Sequence, residues 1–167
     1  AEIAVRASLT GHLVLATLHT NDAVGCVTRL TDMGVEPYLL AACLRAALAQ
    51  RLVRCLCGVC RRTAVLTDAQ KAFFALQPPA WPEQVWEAAG CPACREGYLG
   101  RTGLFELMIV DADLAEAVRS GHSDSRALRD LALRKGMTRL FNDGLDKLAH
   151  GVTSVAELQR AIGRMSG

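Results

Sequence analysis

Two Cys-x-x-Cys pairs, Cys57-Gly-Val-Cys60 and Cys91-Pro-Ala-Cys94, stand 30 residues apart and constrain the fold of this 167-residue chain more than any other feature. A two-residue gap turns both thiolates of one knuckle toward a common centre. Two knuckles then complete a tetrahedral four-sulfur site with metal–sulfur bonds of about 2.3 Å when the metal is zinc. Zinc leads because it imposes no geometric preference of its own. Four sulfurs close its shell and leave no position for water, so the expected site, at Cys57, Cys60, Cys91 and Cys94, is structural rather than catalytic. The gap exceeds the usual zinc-ribbon spacing of about 15–20 residues, so the loop must hold an inserted element. Thr67-Asp68 followed by Ala69 to Leu76 reads as an N-capped helix that would serve. A redox pair is the first alternative. It predicts a strand before the motif and a helix beginning within it, whereas Gly90 before Cys91 and Glu96-Gly97-Tyr98 after Cys94 are turn chemistry. Inert cysteines are the second alternative.

The remaining cysteines say less. Cys26 and Cys43 lie among helical apolar positions and read as core residues. Cys55 is ambiguous, since Cys55-x-Cys57 is poor knuckle spacing, and it is left outside the metal set. Seven cysteines is an odd count, and no basic-then-apolar leader opens the chain, so a reducing compartment is expected rather than a disulfide framework. The chain is 51% hydrophobic, which is enough to bury a core and excludes wholesale disorder. Its longest apolar stretch, Tyr38 to Ala49, carries Arg45 and falls short of the roughly 20 residues of a membrane span. Lys and Arg total 19 against 17 Asp and Glu, so no nucleic-acid partner is expected from charge. Residue 1 is an Ala within a helical pattern, which suggests a piece of a longer protein.

The pattern of elements is α/β in three parts. Residues 1–54 read as α/β: a helix to Ser8 closed by Thr10-Gly11, a buried strand from His12 to His19, and a helix to about Met33. Gly34 breaks that helix, Glu36-Pro37 opens another reaching about Ala46, and Leu48 to Cys55 is a further strand. The expected sheet is mainly parallel. Residues 55–100 form the metal unit, with Pro78, Pro79 and Pro82 clustered near Trp81 and Trp86, two residues expected in packing. Residues 101–167 begin with a strand from Gly103 to Val110 and continue as four short helices. Their starts are marked by Asp111, Ser123, Thr138 or Asn142, and Thr153 or Ser154, and their stops by Gly121, Gly136 and Gly151. Leu128, Leu131, Leu140, Leu145, Leu148 and Leu158 are the expected core of that tail.

The polar residues gather at the ends of the first strand. In a straight strand His12 and His19 would face opposite sides, about 23 Å apart, and could not share a metal. Thr17, His19, Thr20, Asn21 and Asp22 lie at its carboxyl end, where open α/β sheets place ligands. They make a candidate ligand site, or Thr20, Asn21 and Asp22 simply cap the next helix.

The run from Arg6 to Asp22 closely resembles the His-box region of the secretion ATPases that drive type II secretion and type IV pili. Arg29 to Leu39, Ala49-Gln-Arg-Leu-Val-Arg54, the tetracysteine motif, Gly97 to Leu107 and Gly136-Met continue the resemblance over essentially the whole chain. The Met-Gly-Val-Glu-Pro and Ala-Gln-Arg-Leu-Val-Arg blocks are more similar to the type II secretion branch, with the pilus-assembly branch the alternative. The resemblance implies the C-terminal part of a RecA-like P-loop ATPase core with a tetracysteine zinc insertion and a small helical C-terminal subdomain. It further implies a homohexameric motor, cytoplasmic and peripheral to the inner membrane, that uses ATP and Mg²⁺ to assemble a pseudopilus with inner-membrane platform proteins. Carried over by residue, His12, Thr17 and His19 match the His box and are expected near the γ-phosphate. Gln50, Arg51 and Arg54 match a block near the nucleotide or a subunit contact, and the four cysteines match the zinc ligands.

One departure bears on activity. No G-x-x-x-x-G-K-[S/T] segment occurs in the sequence, and neither do the acidic box and Walker B carboxylate that precede the His box in this family. Without the phosphate-cradling loop and the Mg²⁺ carboxylate, the chain by itself is expected neither to hydrolyse ATP nor to bind it tightly. Two other classes compete: a stand-alone zinc-stabilised interaction module, and a zinc-ribbon nucleic-acid binder that the charge balance disfavours.

Overall fold

A computed structural model describes residues 1–74, 81–121 and 124–163. Leu76, Pro78, Pro79 and Ser123, which figure in the expectations above, lie outside the described residues. The chain divides into two compact units, each built from two stretches: Ala1–Ala49 with Glu106–Thr138, and Gln50–Phe105 with Arg139–Gly167.

In the first unit, α1 (Glu2–Leu9), α2 (Gly25–Asp32) and α3 (Pro37–Cys43) precede β1 (Ala46–Leu56), whose first four residues belong here. The end of β4 (Tyr98–Ile109) returns, followed by α5 (Ala112–Arg119) and α6 (Ser125–Arg134). Each boundary has a local cause. Pro37 starts α3 with no amide to satisfy, Gly34 ends the preceding turn at φ +85°, and Asp111 caps α5 by accepting from Leu114 N–H at 2.9 Å. Helices α1, α2 and α5 contact α3, which buries Val5, Leu40, Ala41, Leu114 and Val118. Burying a Leu or Val side chain is worth about 1.5–3 kcal/mol, so this cluster holds the unit together.

The second unit takes the rest of β1 and β4, together with β2 (Arg62–Ala64), α4 (Asp68–Phe73), β3 (Val85–Glu87), α7 (Leu140–Ala149) and α8 (Val155–Ile162). Its core combines Val53, Leu56, Val85, Leu104, Leu148 and Leu158 with an aromatic group in which Phe74, Trp81 and Phe141 lie 5.2–6.0 Å apart. Trp86 instead lies under the Arg61 guanidinium at 4.5 Å. Gly144 lets α7 meet α8, since a Cβ there would fall 2.3 Å from Leu158 Cδ1.

Strands β1 and β4 pair with each other, and β2 pairs with β3. Val110 N–H donates to Arg45 O beside the start of β1, and Cys57 N–H donates to Gly97 O beside its end, so β1 and β4 run antiparallel. β2 and β3 are antiparallel too. The mixed helix and strand content agrees with an α/β class, but the mainly parallel sheet is not found among the described residues. Nor is the strand from His12 to His19, since residues 12–20 have no regular structure. The physical reason is a missing partner. A strand's amides and carbonyls need a ladder, none lies alongside among the described residues, and Leu13 and Leu15 stand 86% and 89% exposed.

Elsewhere the expected elements appear with shifted ends. The strand at 48–55 is the longer β1, and the strand at 103–110 is part of β4. Helix α3 ends at Cys43 rather than Ala46, which already belongs to β1, and α4 ends at Phe73. Four helices follow β4 as expected, with Gly121, Gly136 and Gly151 at positive φ behind the first three. Of the six leucines expected in the tail's core, all are buried except the half-buried Leu131.

Candidate functional site

The cysteine site is assembled by a short ribbon. β2 starts two residues after Cys60 and β3 ends four residues before Cys91, and their pairing matches Arg62 with Glu87, Thr63 with Trp86 and Ala64 with Val85. That register folds the 30-residue excursion back on itself and sets the knuckles face to face, with α4 carried inside the loop. Helix α4 carries the expected cap in full: Thr67 Oγ1 accepts from Gln70 N–H at 3.2 Å while Gln70 Oε1 accepts from Thr67 N–H at 3.0 Å. The first knuckle closes through Arg61 N–H donating to Cys57 O at 3.0 Å, the second through Cys94 N–H donating to Cys91 O at 3.2 Å.

All four Sγ atoms lie within 4.8 Å of one another. Cys57 to Cys91 is 4.0 Å, Cys60 to Cys94 is 3.7 Å and Cys91 to Cys94 is 3.6 Å. A tetrahedron with metal–sulfur bonds of about 2.3 Å has edges of about 3.8 Å, so the observed edges fit a zinc-sized ion. Cys57 is buried and the other three half-buried. The thiols are not equivalent. Burial works against ionising Cys94, but hydrogen bonds from the Cys91 backbone and from the Cys91 and Cys60 thiols bring it down to about 7. In Cys91 a backbone bond at Ala93 favours the thiolate, yet the bond with Cys94 and burial push it up to about 12. The four sulfurs can hold a metal ion, and their softness and spacing are compatible with zinc. Cys55 stays outside the group. Cys26 is buried in the first unit, where burial pushes its thiol up to about 11, as befits an inert core residue.

The other expected site residues are not gathered. His12, Thr17 and His19 are all exposed on the irregular segment, and no hydrogen bond joins them among the described residues. His12 is tied locally: its N–H donates to Ala7 O at 3.2 Å and its Nδ1 lies 3.1 Å from Thr10 Oγ1. On β1, Gln50 is exposed while Arg51 and Arg54 are half-buried.

The structure also reveals what fixes the run that follows His19. Asp22 Oδ1 accepts from N–H of Gly25, the first residue of α2, at 2.7 Å, while the N-cap position itself is Val24 and carries no side-chain cap. Asp22 Oδ2 accepts from Arg129 Nη2 at 2.6 Å. Ala23 N–H donates to Oε1 of the buried Glu106 at 2.9 Å. Arg129 and Glu106 lie about a hundred residues downstream, and no local spacing marks them.

In the second unit the missed residue is Glu157, only 1% exposed. Oε2 accepts from Arg54 N–H at 2.8 Å and from Arg160 Nη2 at 2.8 Å. Oε1 accepts from Arg54 Nε at 3.0 Å and Arg160 Nε at 3.1 Å. Burial alone would raise its pKa, but the bonds from Arg160 and Arg54 hold it at about 2. Ser154-x-x-Glu157 has the spacing of a capping box, and Ser154 Oγ does accept from Glu157 N–H at 3.3 Å. The carboxylate has left that local role for a contact with β1.

Residues 1–160 match the family described as Type II/IV secretion system protein. The chain belongs to this family. This type II/IV secretion family chain is 46% identical over 161 residues to Type II secretion system protein E of Aeromonas hydrophila, an alignment covering 96% of the chain and 32% of that protein. It is 48% identical over 161 residues to Type II secretion system protein HxcR of Pseudomonas aeruginosa, covering 96% of the chain and 30% of that protein. Type IV pilus assembly ATPase TfpB of Acinetobacter baylyi is 44% identical over 167 residues, covering 97% and 28%. The chain thus spans about a third of the length of the curated relatives it matches. No helix among the described residues is long and apolar enough to cross a membrane.

Proposed function

We propose that this chain is the C-terminal part of an ATPase motor that powers type II protein secretion by driving pseudopilus assembly. The observation that carries the reading is the match along 96% of the chain, at 46% identity, to a protein named for type II secretion. The motor core would be RecA-like, with residues 1–54 as its trailing half, 55–100 as a zinc subdomain and 101–167 as a returning strand with helices. The exposed Leu13 and Leu15 on the irregular segment support that view. They are the residues a strand would bury once a neighbouring strand from a longer protein lay beside it.

Within such a motor, His12, Thr17 and His19 would face the γ-phosphate, where an imidazole orients water or senses the bound state. Gln50, Arg51 and Arg54 would contribute to the nucleotide surroundings or to a subunit contact. ATP and Mg²⁺ supply the phosphoryl group and its charge neutralisation, and their cradle is a P-loop and a Walker B carboxylate. The 167 residues contain no such loop, so this chain alone does not turn over ATP. Cys57, Cys60, Cys91 and Cys94 would hold zinc in a closed, structural shell. The assembled motor would be a homohexamer, cytoplasmic and peripheral to the inner membrane, bound to platform proteins of the secretion system. Type IV pilus assembly is the second reading, supported by the 44% identity to TfpB.

A chimaera tests these readings. The chain replaces the matching third of the Aeromonas protein, and of the Acinetobacter pilus ATPase, in strains lacking each. Restored secretion without restored pili is expected, and pili without secretion would reverse the assignment. Phosphate release by the purified chain, lost in His19→Ala, would overturn its inactivity.

A further inference from the structure

A cavity of about 420 Å³ opens in the second unit, beside the second knuckle. Arg54, Arg95 and Arg101 line it with Tyr98, Leu99 and the metal-site residue Cys94, and no carboxylate is among its lining residues. The Arg54 guanidinium is offset by its ion pair with Glu157, so Arg95 and Arg101 supply the local excess of positive charge.

The arginines are presented by rigid parts. Arg54 Nε is held by Glu157, and its guanidinium lies 4.0 Å over the Tyr98 ring, so one cation is already ordered. Arg95 and Tyr98 bracket a two-residue turn, with Arg95 N–H donating to Tyr98 O at 3.1 Å and Tyr98 N–H to Arg95 O at 2.9 Å. Both residues of the turn have positive φ: Gly97 at +86° and, unusually for a side-chain-bearing residue, Glu96 at +52°. A Cβ at Gly97 would sit 2.5 Å from Ala88 Cβ, so the turn is seated against its neighbour. Backbone held in a rarely populated conformation persists where surrounding structure fixes it, often at ligand sites. Arg95 and Arg101 are exposed and make no ion pair among the described residues. Besides Glu157, Arg54 pairs with Glu96, which is 80% exposed and 3.4 Å away, a pair that a competing anion displaces easily.

We propose that this cavity binds a diphosphate-class oxyanion. Guanidinium forks match phosphate oxygens in paired hydrogen bonds. Two unpaired guanidiniums beside an ordered third suit a polyanion better than a single carboxylate, and the volume lies in the small-ligand range of about 300–1,000 Å³. The rival role for the arginines is to offset the charge of a metal tetrathiolate next door, which carries two net negative charges. That role needs no ligand and predicts that removing them loosens the metal instead.

The test titrates inorganic pyrophosphate into the metal-loaded chain by calorimetry and by amide shifts of residues 95–101. Expected are saturable binding weakened by salt, shifts centred on Arg95, Tyr98 and Arg101, and weaker binding of acetate. Arg95→Ala and Arg101→Ala should each cost about tenfold in affinity, and the double variant should show no saturation, with metal content unchanged. The control, Arg119→Ala, removes a cation from α5 that pairs with Glu116 at 3.1 Å. Any of three results overturns the proposal: no saturation of the wild-type chain up to about 10 mM, equal weakening by Arg119→Ala, or faster metal release from the Arg95 and Arg101 variants with pyrophosphate binding intact.

Discussion

Glu157→Gln probes the buried carboxylate that accepts four hydrogen bonds from Arg54 and Arg160 in the second unit. The substitution keeps the shape but replaces an ionised acceptor of four hydrogen bonds by an amide, whose NH₂ must face arginine donors. In the folded chain the carboxyl titrates at about 2 rather than its ordinary 4.5. At about 1.4 kcal/mol per unit this corresponds to roughly 3 kcal/mol. Side chains of Arg54 and Arg160 are 41% and 49% exposed, so solvent screens part of it and a deficit of about 2–3 kcal/mol is expected at pH 7. A domain is stable by only about 5–15 kcal/mol, so the change is easily read. Because the folded-state value is depressed, the contribution is complete above pH 4.5 and is lost as pH falls toward 2. The gap between variant and wild type should therefore be flat from pH 8 to 5 and shrink below. Metal loss in acid strikes both proteins and leaves the difference intact. Urea unfolding followed by tryptophan emission is a suitable assay, because Trp81 and Trp86 both lie in the second unit. A deficit below about 0.5 kcal/mol, the ordinary size for a surface change, or one identical at pH 3 and pH 7, would refute the reasoning.

The remaining predictions concern metal, packing and the segment after His19. Cys57→Ser or Cys91→Ser should abolish stoichiometric zinc, measured by elemental analysis. Because structural zinc contributes about 10 kcal/mol or more, amide protection should fall across α7 and α8 as well as residues 55–100. Arg61, next to Cys60, donates to Gly151 O at 2.5 Å and carries the effect there; full protection of α7 in the zinc-free protein would exclude that route. Gly144→Ala gains helix propensity of about 1 kcal/mol yet overpacks Leu158 by about 1–3, so a net loss is expected on thermal unfolding. A raised melting temperature would show that the two helices separate freely. Arg129→Ala should speed hydrogen exchange at residues 20–25 while leaving zinc content unchanged, and unaltered exchange there would mean the contact with Asp22 does not order the segment.

What the sequence made legible was whatever its chemistry encodes locally. Cys57, Cys60, Cys91 and Cys94 converge because short spacing and soft ligands leave few other arrangements. Asp111, Thr67 and Ser154 cap helices because a side-chain oxygen next to three free amides has an obvious use. The strand expected from His12 to His19 rests on an apolar run bounded by turn residues, and such a run reports what a segment would bury, not whether a partner lies beside it. Glu157 escaped for the opposite reason. Its spacing from Ser154 satisfied a local rule, so nothing hinted that the carboxylate serves Arg54, 103 residues earlier in the chain. Glu106 and Arg129 carry no local signature at all, and only the fold brings them to Asp22 and Ala23.

The discontinuity of the second unit gives its assembly an order. The ribbon and all four cysteines are complete by Cys94, but the helices that cover them end with α8, more than 60 residues later. At synthesis rates of about 5–20 residues per second, that leaves the ribbon several seconds without its lid. Three-residue strands such as β2 and β3 do not persist alone over such an interval. A metal captured early clamps their register in advance, so that Arg54 and Tyr98 are already in place when Ser154 and Glu157 emerge to meet them. In this view the ion acts first as an assembly jig and only afterwards as a support. For the proposed zinc site, a supply of the metal during translation, not merely after it, would be a condition for the yield of folded protein.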